Sequence, residues 1–593
     1  MNDQTRTQAM DIEQLFDTAG YRLPADFDPF DPANLKAGTG TLPRLLREHA
    51  RRRGGDLALR EKTLGVWQRY DWAHYYSQAR RFAFGLLAAG VQRGDRIIIA
   101  SENTPEWYYS DLGAEMIGAV PVGIYPTNPW PELQYIVRHS AAKLAVCGDQ
   151  EQTDKVLDAQ ASEGGLPELD VVLCVDMKGM RAYDQAYLSS FEAFLESGDA
   201  YAASLPDAEA HLNAMIEDTS PDDVALMVYT SGTTGPPKGA MMTHRNIIYS
   251  TYNYARTVGA DTAGINAVGY LPLCHAAERC YSMAMLLCVG GTVNFAESID
   301  TVNENVREIA PSFMVGVPRI WEKMKEGFEF RLKESGAIQK RVAGWLLKQG
   351  RRIDDIRQAN DGQLSSGQQF QAWLLHWALF RNVQRFMGLD RTYHRLCAGA
   401  AVSPETIRFF SIIGLPLSQG YGMTEASPVL AVQRPGDPAK EGSVGRALPG
   451  ISVQVFEPNE DGTYDCIGLC DPDGLPIQQD CQNEPDDDEL FIPDGVNCRS
   501  LPDALQAPNV YGVTDLPPGC QDALDAAGKC DPGDPNCPEE MANKRLTSAD
   551  EPDDATMWQN LCVLPQRDQD FDGLGDICDK CEYAFDPFNY SYI

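Results

Sequence analysis

The sequence lacks any apolar run as long as the ~18 residues that read as a membrane-crossing helix. Its opening residues, M-N-D-Q-T-R-T-Q-A-M-D, lack the apolar centre of a secretory leader, so no ordinary export signal is expected. Positive charge is scarce. There are 50 Lys and Arg against 85 Asp and Glu, a formal net charge of −35, and no nucleic-acid partner is expected. The scarcity is uneven. Residues 457–593 hold 6 basic and 32 acidic side chains, while residues 1–456 hold 44 and 53. Cysteine divides at the same place: six are scattered before residue 457, and ten lie after it. The front part has the composition of a cytosolic enzyme. The rear has that of an extracellular, disulfide-bearing segment.

At 593 residues the chain can hold three or four domain-sized units. Residues 1–40 read as a polar, proline-rich arm. Strand and helix patterns then alternate. L-P-R-L-L-R-E-H-A-R-R-R is an amphipathic helix, D-R-I-I-I-A (95–100) a short buried strand, and a helix is expected from about Pro105. A-V-P-V-G-I-Y and L-A-V-C-G are further strands. This alternation predicts an α/β fold with parallel sheets flanked by helices.

Residues 229–239 read Y-T-S-G-T-T-G-P-P-K-G. V-A-L-M-V-Y before it reads as a buried strand, and Thr243 after it can cap a helix from about His244. Glycines let backbone N–H groups approach an anion, hydroxyls add donors and a lysine adds charge. A surface turn has no need of Thr230, Ser231, Thr233, Thr234 and Lys238 together. The spacing does not fit G-x-x-x-x-G-K-[ST], so this is not the common phosphate loop. Further on, S-Q-G-Y-G-M-T-E (418–425) brings an aromatic face at Tyr421, a hydroxyl at Thr424 and a carboxylate at Glu425. Small residues at Gly399, Ala400 and Ala401 leave room for a flat ring.

These two stretches, in this order, resemble the adenylate-forming enzymes, which include acyl-CoA synthetases. The segment D-R-I-I-I-A-S-E-N-T-P-E-W resembles the first domain of fatty-acyl-CoA synthetases, and P-S-F-M-V-G-V-P-R-I-W-E-K is similar to the family's long-chain branch. The resemblance covers residues 41–456 and implies ATP, Mg²⁺ and coenzyme A as reactants with a fatty acid. It implies that Thr230, Ser231, Gly232, Thr233, Thr234, Gly235 and Lys238 hold phosphates. Gly399, Ala400, Ala401 and Tyr421 would hold adenine, Gln419, Gly420 and Gly422 would also line the nucleotide site, Thr424 would touch the α-phosphate and Glu425 would hold Mg²⁺. His275, in Y-L-P-L-C-H-A-A-E-R, is the candidate near the acyl carboxylate. A fully structural reading makes His275 a helix cap instead.

Residues 321–395 read mostly as helix, with 14 Lys and Arg against 8 Asp and Glu and with Trp345, Trp373 and Trp377 among leucines. Two readings stand: an insert whose apolar stripe packs on its own domain, or a peripheral contact with an anionic membrane. The front part is expected to be cytoplasmic, and membrane-associated under the second of these readings.

After I-S-V-Q-V-F the family's next segments would read G-E-I-x-x-x-G, T-G-D and D-R-x-K-D, followed by a domain with a catalytic lysine. Residues 457–593 contain none of these. Weak ATP binding and little thioester formation are therefore expected, along with an unpaired sheet edge near residue 456. Residues 457–593 form an acidic, Cys-rich segment that cannot bury much core. D-Q-D-F-D-G-L-G-D-I-C-D-K-C (568–581) alternates carboxylates at Asp568, Asp570 and Asp572 before Gly573, with Asp576 and Asp579 beyond. That pattern suits Ca²⁺ and resembles a thrombospondin type 3 repeat. Zinc is less suited, because Cys578 and Cys581 have no second C-x-x-C. The alternative function is a calcium-binding extracellular or surface protein.

Overall fold

The computed structural model describes residues 28–230, 236–261, 264–360, 363–434, 442–451, 453–455 and 561–563. β1 (Leu57–Thr63) and β2 (Val66–Asp71) form an antiparallel pair. The largest sheet comes next. It comprises β3 (Arg96–Ala100), β4 (Val120–Ile124), β5 (Leu144–Cys147), β6 (Val171–Cys174), β7 (Leu188–Ser190), β8 (Val224–Thr230) and β9 (Lys238–Thr243). Their order is β7-β6-β5-β3-β4-β8-β9, and every neighbour is parallel except β8 with β9. Ile97, Ile98 and Ile99 are all buried. A strand apolar on both faces fits a sheet covered by helices on both sides.

β10 (Asn266–Gly269) and β11 (Thr292–Phe295) join the first hairpin in the order β10-β11-β1-β2. β12 (Phe313–Gly316), β13 (His394–Cys397), β14 (Ser418–Tyr421), β15 (Ala431–Val432) and β16 (Arg446–Ala447) make a third sheet. It is parallel through β14 and antiparallel beyond. Mixed sheets flanked by helices are the α/β architecture the alternating pattern predicts.

Local signals act as expected in several places. Thr243 caps helix His244–Thr257 in a reciprocal capping box with Asn246. Pro105 opens helix Pro105–Met116 at a position where its missing N–H costs nothing. The short strand β9 was not anticipated: K-G-A-M-M-T carries no clear alternation and lies between the loop and the helix cap. Within the stretch read as an arm, Pro32–Ala37 is a short helix with Leu35 buried. Val453–Val455 pairs antiparallel with Leu561–Val563 in a sheet of two strands, so the strand expected to present an edge there is paired on one side. Cys147, Cys174, Cys274, Cys280, Cys288 and Cys397 are buried free thiols.

Between β12 and β13 the chain is helical, in Pro318–Glu334, Ala337–Ala359, Ser366–Leu375, the π turn His376–Phe380 and Arg381–Met387. Leu346, Ile353, Leu375, Phe380 and Val383 enter a core with Trp321 and Phe410. Trp345, Trp373 and Trp377 do not; each is at least half exposed. No described helix is long and apolar enough to cross a membrane.

Candidate active site

β8 delivers the hydroxyl-rich loop. Val228 and Tyr229 are buried, and Thr230 is half-buried at the strand's end. The Tyr229 hydroxyl lies 2.7 Å from Nδ1 of His139, which ties the strand to helix Trp130–His139. β9 returns antiparallel with Lys238 opposite Thr230 and Gly239 opposite Tyr229. A Cβ on Gly239 would lie 2.8 Å from the Met227 sulfur, so glycine lets the strands close here. Both ends of the loop are thereby clamped. Ser231, Gly232, Thr233, Thr234 and Gly235 lie outside the described residues. Lys238 is exposed and is the first residue of a strand, where the sequence placed it within the loop.

The facing wall comes from the third sheet. β13 and β14 are parallel, with Leu396 opposite Ser418 and Cys397 opposite Gln419. Both therefore lead out at the same end of the sheet, β13 into Gly399, Ala400 and Ala401, and β14 into Tyr421. Gly399 has φ of 85°, a conformation that strains any residue with a Cβ. The Gln419 N–H donates to Oε1 of Gln433 at 2.9 Å, and its carbonyl accepts from the Gln433 N–H at 2.9 Å. At Gly422 a Cβ would lie 1.6 Å from the Pro428 carbonyl oxygen, so the turn has no space for one. Gly420 is also tight, its Cβ position 2.9 Å from Leu396.

After Met423 the chain makes one 3₁₀ turn, Thr424–Ala426, ended by Ser427 at φ 63°. That turn returns Glu425 to β8. Thr230 Oγ1 donates to Glu425 Oε1 across 3.4 Å. The structure thus brings together Thr230, Lys238, Thr424 and Glu425 from two separate sheets.

His275 sits in another segment, as the cap of the short helix Ala276–Glu278. Its Nδ1 accepts from the Ala277 N–H at 3.0 Å, and burial lowers its pKa. The ring is therefore neutral with Nε2 as its N–H, able to donate but not to act as a cation. The structural role that competed with the functional one is present. The segment packs across β4, where a Cβ on Gly123 would lie 2.7 Å from the Cys274 backbone.

Glu278 was missed by sequence reasoning. It is 3% exposed. Its Oε1 accepts from Ser282 Oγ at 2.8 Å and the Tyr270 N–H at 3.1 Å. Burial pushes its carboxyl up to about 8. Next to it, Arg279 begins a π turn, Arg279–Ala284, and pairs with the fully buried Asp111. The only signal in the sequence was a Glu-Arg pair inside an otherwise apolar helix.

The site's donor set fits magnesium carried by a nucleotide. Mg²⁺ keeps several waters and takes one or two protein carboxylates along with phosphate oxygens. Glu425 is a partly buried carboxylate beside a hydroxyl, and among the described residues no cluster of three or more ligating side chains offers a closed metal cage. Asp568, Asp570, Asp572, Asp576 and Asp579 lie outside the described residues.

A hydroxyl-bearing hairpin facing a Tyr-Gly-x-Thr-Glu turn, on mixed sheets flanked by helices, is the N-terminal domain fold of adenylate-forming enzymes. The family model described as AMP-binding enzyme matches residues 46–465, and the chain belongs to that family. It is 28% identical over 435 residues to long-chain-fatty-acid–CoA ligase ACSBG2 of Xenopus laevis, covering 72% of this chain and 56% of that protein. It is 29% identical over 429 residues to ligase ACSBG1 of Rattus norvegicus, covering 71% and 57%. The chain thus spans little more than half the length of these relatives. Among solved structures it is similar to a Mycobacterium tuberculosis fatty acyl CoA synthetase, with TM-score 0.52, 20% identity, and 72% of this chain and 67% of that one covered. It is also similar to the anthranilate CoA ligase AuaEII, with TM-score 0.53, 18% identity, and coverage of 74% and 70%. At these identities the two structures share the fold.

Proposed function

We propose that the chain activates a long-chain fatty acid with ATP. The carboxylate oxygen attacks the α-phosphorus, the bond to the β-phosphate breaks, and acyl-AMP and pyrophosphate form. The sulfur of coenzyme A would then attack the acyl carbon and release AMP. The observation that carries this reading is the Thr230–Glu425 contact with Lys238 opposite Thr230. The contact joins a hydroxyl and a carboxylate, and strand register puts Lys238 next to Thr230. Positioning and charge neutralisation are what such a transfer requires. Thr230, Lys238 and the loop between them would hold the β- and γ-phosphates. Tyr421 and residues 399–401 would hold adenine, and Thr424 would meet the α-phosphate. Mg²⁺ at Glu425 would supply charge neutralisation. Long-chain specificity is supported by the names of the ACSBG relatives, and His275 is the residue proposed near the acyl carboxylate.

The second step is proposed to be weak in this chain, because residues 457–593 contain no T-G-D or D-R-x-K-D sequence. ATP–pyrophosphate exchange driven by fatty acids of increasing length tests the first step. No exchange with any acid would overturn it. Robust acyl-CoA formation by the purified chain would overturn the second statement. For residues 568–579 the alternate aspartates support a Ca²⁺ loop, and calorimetric titration of the full chain with Ca²⁺ tests that reading.

A further inference from the structure

The helices between β12 and β13 bury one face and leave another bare. On helix Ala337–Ala359, Leu346, Gly350 and Ile353 face the core, and a Cβ on Gly350 would lie 2.6 Å from the Phe380 ring. The same helix exposes Ile338, Val342 and Trp345 at 80%, 52% and 60%, spaced i, i+4, i+7 on one side. Helix Ser366–Leu375 and the π turn after it expose Phe370, Trp373, Leu374 and Trp377. The rings form a strip: Phe370 and Trp373 are 5.8 Å apart, Trp373 and Trp377 6.3 Å. The Arg381 guanidinium sits 4.4 Å over the Trp377 ring. Half of the fourteen exposed large apolar residues among those described fall within residues 338–377, a concentration that single scattered surface residues do not give.

The charge beside the patch is positive. Residues 336–385 hold eight Lys and Arg against three Asp, in a chain of net charge −35. Helical spacing sets Arg341, Lys348 and Arg352 in a row beside the Ile338–Val342–Trp345 stripe. All three are exposed, and among the described residues none forms an ion pair. Residues 366–380 carry no acidic side chain. A tryptophan-rich stripe with a basic border is suited to the headgroup layer, where indole lies between apolar and wet surroundings and Lys and Arg meet phosphates.

We infer that the face formed by helix Ala337–Ala359 and residues 366–381 docks the protein on an anionic phospholipid surface without crossing it. The acidic residues 457–593 match the border in charge and carry apolar side chains of their own, but only one tryptophan, and they are the competing occupant. A second copy would bring the same positive charge against itself. The inference is independent of turnover.

The test uses the full chain with phosphatidylcholine vesicles, with and without phosphatidylglycerol. Wild-type protein is expected to pellet with the anionic vesicles and to lose binding in high salt. Brominated acyl chains are expected to quench its tryptophan fluorescence. Replacing Trp345, Trp373 and Trp377 together by Ser should weaken binding by about tenfold or more. Replacing Arg341, Lys348 and Arg352 by Glu should abolish it on anionic vesicles alone. The charge variant keeps the test decisive if the tryptophan variant proves unstable. Wild-type protein that stays in the supernatant with both vesicle types overturns the inference. So does pelleting that neither variant changes. Crosslinks from Lys340 or Lys348 to residues 457–593, or a dimer abolished by the tryptophan changes, in protein that ignores vesicles, would also overturn it by naming another occupant.

Discussion

Thr230 and Glu425 are 195 residues apart in the chain, yet the Thr230 hydroxyl donates to the Glu425 carboxylate across 3.4 Å. One comes from the end of a seven-stranded sheet, the other from a 3₁₀ turn after a strand of a different sheet. The contact is the point at which the two walls of the candidate site meet. Glu425→Gln keeps the shape and the hydrogen-bond acceptor but removes the charge. ATP–pyrophosphate exchange is expected to fall by roughly 10²–10³, the usual cost of losing one well-placed group at a developing charge. The Tm should hold, because Glu425 is not in the core. Exchange within threefold of wild type would place the metal elsewhere.

Lys238 leads β9 and lies opposite Thr230, exposed to solvent. In the proposed reading a cation at this position contacts the nucleotide's polyphosphate. Lys238→Met keeps most of the stem and should leave the fold intact. The KM for ATP is expected to rise by about tenfold, the value of one charge-assisted hydrogen bond. Steady-state kinetics at saturating fatty acid would read it. An unchanged KM with a lowered kcat would move Lys238 from binding to the chemical step.

Much of the fold was legible because its strands are short, apolar and bounded. R-I-I-I-A and L-A-V-C name themselves as buried strands, and Thr243 names a helix start. The candidate site was legible only as two motifs; their meeting depends on how two sheets pack, which no local pattern encodes. Lys238 was misplaced in a loop because strand β9 is set by pairing with β8, not by its own weak alternation. Glu278 left no trace for a different reason. A carboxylate in an apolar helix looks like a surface residue until the strands and helix Pro105–Met116 close over it.

That burial makes Glu278 a source of pH dependence. Its carboxyl is raised from 4.5 to about 8 by removal from water. Between those values the folded protein keeps a proton that the unfolded chain releases. The contribution to stability is therefore present below pH 4.5 and is lost as pH rises through about 8. Glu278→Gln removes the titration and keeps an oxygen for Ser282 and Tyr270. Relative to wild type, the variant's Tm is expected to climb across that window. Scanning fluorimetry at several pH values gives the comparison; parallel curves would show that Glu278 does not titrate there.

Arg279 and Asp111 form an ion pair with both side chains removed from solvent, at 1% and 0% exposure. Glu115, one turn further along the same helix, is also buried, and neither of its oxygens has a hydrogen-bond partner in the structure. Burial raises the carboxyls of both acids, and Arg279 opposes that shift. A lone buried charge is far more costly than a buried pair, so removing one partner is the severe change. Arg279→Met is expected to destabilise by about 3–5 kcal/mol. Combining it with Asp111→Asn should cost less than the two single changes added together, because the pair is then replaced as a unit. Urea unfolding followed by tryptophan fluorescence suits the measurement, since the Arg279 guanidinium lies 5.9 Å from the ring of buried Trp107. Additive costs would mean that the two side chains are stabilised by separate neighbours, and that the segment carrying His275 and Glu278 is not held to helix Pro105–Met116 by this pair.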